Sequence, residues 1–92
     1  MIKQFKHKGL KKLFETGNTG GVQAEHVKRI RRILALLETA GTIKDMDLPG
    51  LNLHELKGDR KGIWSVKVSG NWRITFLIDA GDIYNVDYKD YH

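Results

Sequence analysis

The chain contains four histidines, His7, His26, His54 and His92. Imidazole, with an ordinary pKa of about 6.5, is the side chain best suited to moving protons near neutral pH. His7 and His26 sit beside or inside helical patterns with no chemical neighbours and read as surface residues. His54 lies three positions before Lys57, Asn71 and Arg73 open a strand pattern, and the chain closes on Asp90-Tyr91-His92. Singly, His54 reads as a solvated loop residue and His92 as a frayed end. Together they match what metal-free scission of an RNA phosphodiester demands. A base must take the proton of a ribose 2′-hydroxyl, fixed cations must meet the charge on the pentacovalent phosphate, and an acid must protonate the departing 5′-oxygen. His54, Asp90, Tyr91 and His92 are the candidates for proton transfer. Lys57 and Arg73 are the candidate cations, Arg73 with a planar fork that donates two hydrogen bonds to a phosphate at once. Tyr91 can also stack on an unpaired base. No zinc spacing occurs, so neither metal nor cofactor is expected. The residues alone leave a second reading open, in which Arg73 is a phosphate or salt-bridge contact of a module that binds nucleic acid without chemistry.

Such a set works only if the fold brings positions 54, 71–73 and 90–92 together. Ile2 to Phe5 suits a short first strand. Leu10, Leu13 and Phe14 recur at helical spacing until Gly17, and Val27, Ile30, Leu34 and Leu37 mark one face of a longer helix ending before Gly41. Its other face carries Lys28, Arg29, Arg31 and Arg32, read first as a solvated stripe and second as a contact for RNA, ribosome or partner. Residues 42–62 have no sustained period. Pro49-Gly50 marks a turn, Leu51 to Leu56 suits a short strand, and Lys57 to Gly62 is a basic loop. Three strands follow in quick succession, Ile63 to Val68, Trp72 to Ile78 and Ile83 to Tyr88, with turns that make an antiparallel meander. Alternation assigns Trp64, Val66, Val68, Trp72, Ile74, Phe76, Ile78, Tyr84, Val86 and Tyr88 to the core face. The opposite face collects Ser65, Lys67, Arg73, Thr75, Asn85, Asp87 and Lys89 and is polar, basic and open. Helices first and a meander after place the fold in the α+β class, with the two helices on one face of the sheet.

The 92 residues suffice for one domain, spanning 1–92, and their 40% hydrophobic and 29% charged composition is that of a globular chain. Cysteine is absent, so packing alone must hold the structure. Sixteen Lys and Arg against eleven Asp and Glu give a net charge of +5, which favours an acidic partner such as RNA, DNA or an anionic protein surface. No apolar run approaches a membrane span and no signal segment is visible, so the expected compartment is the cytoplasm.

Leu53-His54-Glu55-Leu56-Lys57-Gly58-Asp59-Arg60-Lys61-Gly62-Ile63-Trp64-Ser65-Val66, then Asn71-Trp72-Arg73-Ile74-Thr75-Phe76 and the terminal Asp90-Tyr91-His92, resemble the HigB branch of the RelE/ParE toxin superfamily. The opening ten residues and the helix order are also similar to that branch. The resemblance implies a RelE-like fold and an endoribonuclease toxin that enters the ribosomal A site, against 16S rRNA, and cuts the exposed codon of the mRNA. It implies a helix-turn-helix antitoxin of the HigA type, held in a toxin-antitoxin hetero-oligomer. By position it assigns catalysis to His54, Asp90, Tyr91 and His92, the scissile phosphate to Lys57 and Arg73, and reading or positioning of the message to Asn71. The chain departs from the RelE branch, which is richer in active-site lysine and arginine and lacks these two histidines; the identity of acid and base is therefore open. The ParE branch shares the fold but poisons gyrase without cutting RNA, and retention of His54, Asp90 and His92 argues against it.

Overall fold

Apolar residues at helical spacing, bounded by residues that satisfy loose backbone groups, build the first half of the chain. The computed structural model describes residues 1–91; His92 lies outside the described residues. Helix α1 spans Lys8–Thr16, its N-terminus capped by His7, whose Nδ1 accepts the Leu10 N–H at 3.2 Å. It stops at Gly17, which takes a left-handed φ of 78° and donates its N–H to Leu13 O. Leu10 and Leu13 are buried, whereas Phe14 is 38% exposed and tilts against Phe5 on the outer side. Helix α2 spans Val27–Thr39 and buries Ile30, Ile33, Leu34 and Leu37. Between the helices, Gly20 and Gly21 run so close to α1 that a Cβ on Gly9 would lie 2.5 Å from Gly21 O.

Two expectations for this half change. His26 is not a surface residue: it sits in a single 3-10 turn, Ala24–His26, that precedes α2, and is only 5% exposed. The turn is off the helical period and aims the ring at the sheet, where Nδ1 and the Tyr88 hydroxyl share a hydrogen bond of 2.5 Å. Arg29 does not belong to a solvated stripe. Its guanidinium donates to Lys67 O at 2.9 and 3.1 Å and to Gly50 O at 2.6 Å, tying α2 to the sheet.

The second half is a four-stranded antiparallel sheet in the order β1-β2-β3-β4, with β1 at His54–Glu55, β2 at Trp64–Ser69, β3 at Trp72–Asp79 and β4 at Asp82–Asp90. Residues 2–5 run parallel to the outer edge of β4 as two isolated bridges, Ile2 to Ile83 and Phe5 to Val86. Helices and sheet share one core that includes Leu10, Ile30, Ile33, Leu37, Phe76 and Val86, so the fold is α+β with both helices on the same face. No helix among the described residues is long and apolar enough to cross a membrane. The register slips between Thr75 and Leu77 of β3, and Asn85 opposite takes a φ of 53°. That bulge moves the alternation of β4 by one residue. Ile83, rather than Tyr84, therefore joins Val86 and Tyr88 in the core.

Candidate active site

Residues paired directly across antiparallel strands project from the same face. His54 pairs with Ser65, Ser65 with Thr75, and Thr75 with Asp87, so these four make one row across the face away from the helices. Lys67, Arg73 and Lys89 pair in the same way and make a second, cationic row. With strands about 4.8 Å apart, the three positive charges fall within two strand spacings, a span of about 10 Å, or more than one nucleotide of backbone. The rows are joined by Arg73, whose guanidinium donates to Ser65 Oγ at 3.3 Å, next to His54.

His54 is exposed, with Nδ1 3.3 Å from Asn52 O. In the tautomer that donates from Nδ1 to this carbonyl, Nε2 is left as an acceptor facing solvent. Asn71, in the turn between β2 and β3, accepts the N–H of Tyr91 at 2.9 Å through its carbonyl, which brings Tyr91 beside the Arg73 end of the face. The Tyr91 ring is covered by Arg60, whose guanidinium carbon lies 5.6 Å from the ring centroid and whose Nη1 is 3.5 Å from the phenol oxygen. Arg60 belongs to the basic loop, where a single turn at Gly58–Arg60 is bracketed by Gly58 and Gly62, both at positive φ. Gly62 N–H donates to Glu55 Oε2 at 2.8 Å, folding that loop back over the sheet. Lys57 is exposed at its entry.

Beneath loop and tyrosine lies a cavity of about 210 Å³. Thr75, Leu77, Asn85 and Asp87 form its floor, Leu56 and Ile63 one wall, and the exposed Lys6, Arg60 and Lys89 with Tyr91 its rim. Asp90 is placed differently. It pairs with Trp72 and so faces the helix side of β4, where it borders a second cavity with His7, Trp72 and Tyr88. The structure thus brings His54, Arg73, Asn71 and Tyr91 to one face, with Lys57 at its edge, and sets Asp90 on the other; His92 lies outside the described residues. Behind this face Trp72 stacks on Tyr88 with ring centroids 4.5 Å apart, and burial pushes the Tyr88 phenol pKa up. Among the described residues no group of three or more histidines and acids is arranged to hold a metal ion.

Lys6 and Arg60 were not singled out from the sequence. The signal for Arg60 was a basic loop between two glycines, and Lys6 carried none, because it reaches the site only through the bridges that fasten residues 2–5 to β4.

The chain matches the HigB-like toxin family, described as the RelE-like toxin of type II toxin-antitoxin system HigB, over residues 3–92. It is also 53% identical to the Endoribonuclease HigB of Proteus vulgaris over 92 residues, covering the whole of both chains. A fold and an open basic face of the kind described here, together with likeness along its whole length, mean that the chain belongs to the family of HigB-like toxins of type II toxin-antitoxin systems.

Proposed function

We propose that this protein is an endoribonuclease toxin that cuts messenger RNA in the ribosomal A site, and that it does so with its own side chains rather than a metal. The observation that carries the reading is the contact of Arg73 with Ser65, the strand partner of His54, which puts a guanidinium fork near an exposed imidazole. Lys67 and Lys89 flank Arg73 and add charge where the phosphate would turn pentacovalent. His54, through Nε2, takes the proton of the 2′-hydroxyl or returns one to the 5′-oxygen. Tyr91 holds the complementary role at the other end of the face, its phenol beside the Arg60 cation. His92 and Asp90 complete the proton-transfer set, Asp90 from the far side of the strand. Lys57 contacts the message next to the scissile phosphate, and Asn71 positions it. The full-length likeness to a protein named Endoribonuclease HigB supports cleavage over the gyrase-poisoning reading.

Family membership supports an antitoxin partner, and the proposal extends to the partners in full. They are the ribosome with its 16S rRNA and a HigA-type antitoxin that holds the toxin inactive as a hetero-oligomer in the cytoplasm.

Ribosomes programmed with a defined message, with and without toxin and chelator, test the reaction. Cutting only on ribosomes, insensitive to chelator, should leave a 2′,3′-cyclic or 3′-phosphate and a 5′-hydroxyl. Substituting 2′-deoxy at the cut ribose should stop it. Persistent cutting at the deoxy position would mean that water is the nucleophile, and activity restored by added metal would refute the metal-free route.

A further inference from the structure

The cavity under Arg60 and Tyr91 holds a carboxylate that the cleavage chemistry does not use. Its rim carries three cations, Lys6, Arg60 and Lys89, yet its floor carries a carboxylate, Asp87, which is 7% exposed. A phosphate is drawn to the rim and repelled by the floor, so the part of an RNA that enters must be something other than phosphate. The remaining floor and walls are Thr75, Asn85, Leu56, Ile63 and Leu77, an apolar slot with a few polar groups at one end. At about 210 Å³ it is smaller than the roughly 300–1,000 Å³ clefts that take drug-sized ligands, and suits a single flat heterocycle. Over its mouth lie a phenol ring and a guanidinium plane, the two surfaces on which splayed-out RNA bases stack.

Asp87 has capacity to spare. Oδ1 accepts the Tyr88 N–H at 2.9 Å and Oδ2 is 3.6 Å from Lys89 Nζ, while an ionised carboxylate offers about four acceptor positions. An acceptor-only group at the end of a base slot favours an edge that donates. Adenine, cytosine and guanine present an exocyclic amine; uracil has none, and its one imide N–H is flanked by two carbonyl oxygens, which a carboxylate repels. The neighbouring row holds Arg73 and Lys89, so a phosphate bound there places its own base within reach of this slot.

We propose that this cavity is a base-selecting subsite: one nucleotide of the message inserts its base between Tyr91 and the sheet, and Asp87 accepts a hydrogen bond from its exocyclic amine. The proposal rests on the reading of the protein as an RNA-cutting toxin and adds the group that sets its sequence preference.

The test uses ribosomes programmed with short messages in which each A-site position carries in turn adenosine or purine riboside, and guanosine or inosine, the second of each pair lacking the amine. Wild-type protein should show one position, fixed relative to the cut, where loss of the amine slows single-turnover cleavage about tenfold or more. Uridine there should be similarly slow. Asp87→Asn, nearly isosteric, should bring the paired rates within about twofold of each other at that position and leave the other positions as they were. Leu77→Trp, which fills the slot from its floor without touching the Asp87 hydrogen bonds, should erase the same discrimination, and serves if Asp87→Asn fails to fold. Wild-type rates indifferent to the amine at every position would overturn the subsite, as would discrimination that survives both substitutions. No cutting of any message by the wild type would instead overturn the endoribonuclease reading, and the subsite with it.

Discussion

Arg73 shows how one side chain is given its task by its neighbours. It is half-buried between Lys67 and Lys89, a costly place for a third cation unless an anion arrives, and its guanidinium donates a 3.3 Å bond to a serine hydroxyl. Arg73→Ala should therefore leave the melting temperature nearly unchanged while lowering single-turnover cleavage about 100- to 1,000-fold, the usual effect of losing a preorganised donor to a developing oxyanion. Arg73→Lys should recover only part of that rate, because an ammonium cannot make the bidentate contact. A clear loss of stability with cleavage unchanged would make Arg73 a structural residue. Tyr88, on the reverse side, gives a prediction in pH. Burial raises its pKa above the ordinary value of 10.0, so the folded state favours the neutral phenol. Its stabilising contribution is complete below the unfolded value and is lost as pH rises through the higher folded one. Melts from pH 8 to 11 should show a steeper alkaline decline for wild type than for Tyr88→Phe. Equal slopes would mean that Tyr88 ionises without penalty.

At the scale of elements, close approach overrides propensity. Alanine is normally better than glycine in a helix by about 0.5–1 kcal/mol. Gly9→Ala in α1 should nevertheless lower the melting temperature, because its methyl would meet the backbone of Gly21 at 2.5 Å. Gly20→Ala, whose Cβ would meet only the Asn18 side chain at 3.2 Å, should be much milder. A Gly9→Ala variant more stable than wild type would show that the loop yields. The same contrast of local and distant contacts explains how much could be read beforehand. The meander and the Trp72-Arg73-Ile74 alternation were legible because a period of two and short turns are local properties. The reading went astray at Tyr84, where a bulge adds a residue that no period announces. His26 and Arg29 were misplaced because their partners, Tyr88, Gly50 and Lys67, are distant in sequence. In the site, alternation around Asp90 already implies that it cannot share a face with Arg73 and Tyr91. The overhang of Arg60 depends on a loop closure visible only in three dimensions.

For the molecule as a whole, the net charge of +5 includes two separate groups of cations, the Lys67, Arg73 and Lys89 row of the sheet and the Lys28, Arg31 and Arg32 side of α2. If the Lys67, Arg73 and Lys89 row binds the RNA backbone, toxin affinity for programmed ribosomes should fall linearly on a log–log plot against salt. Lys67→Ala should lower that slope by about one counterion, and Arg31→Ala, on the exposed side of α2, should leave it unaltered. The reverse outcome would move the nucleic-acid contact to the helix. The strap at residues 2–7 bears on a different matter, how the free protein survives at high concentration. Lys3, Lys6 and His7 donate backbone N–H groups to Ile83 O and Val86 O, and Ile83 and Val86 donate back, so the outer edge of β4 is already occupied from Ile83 to Val86. At the opposite edge β1 offers only His54 and Glu55. A sheet strapped along the first half of one edge and only two residues long at the other gives neighbouring copies little backbone to template on. The toxin is thereby shielded from self-templating along that stretch while its reactive face stays bare, and an inhibitor that added a strand to the first half of β4 would first have to displace the strap.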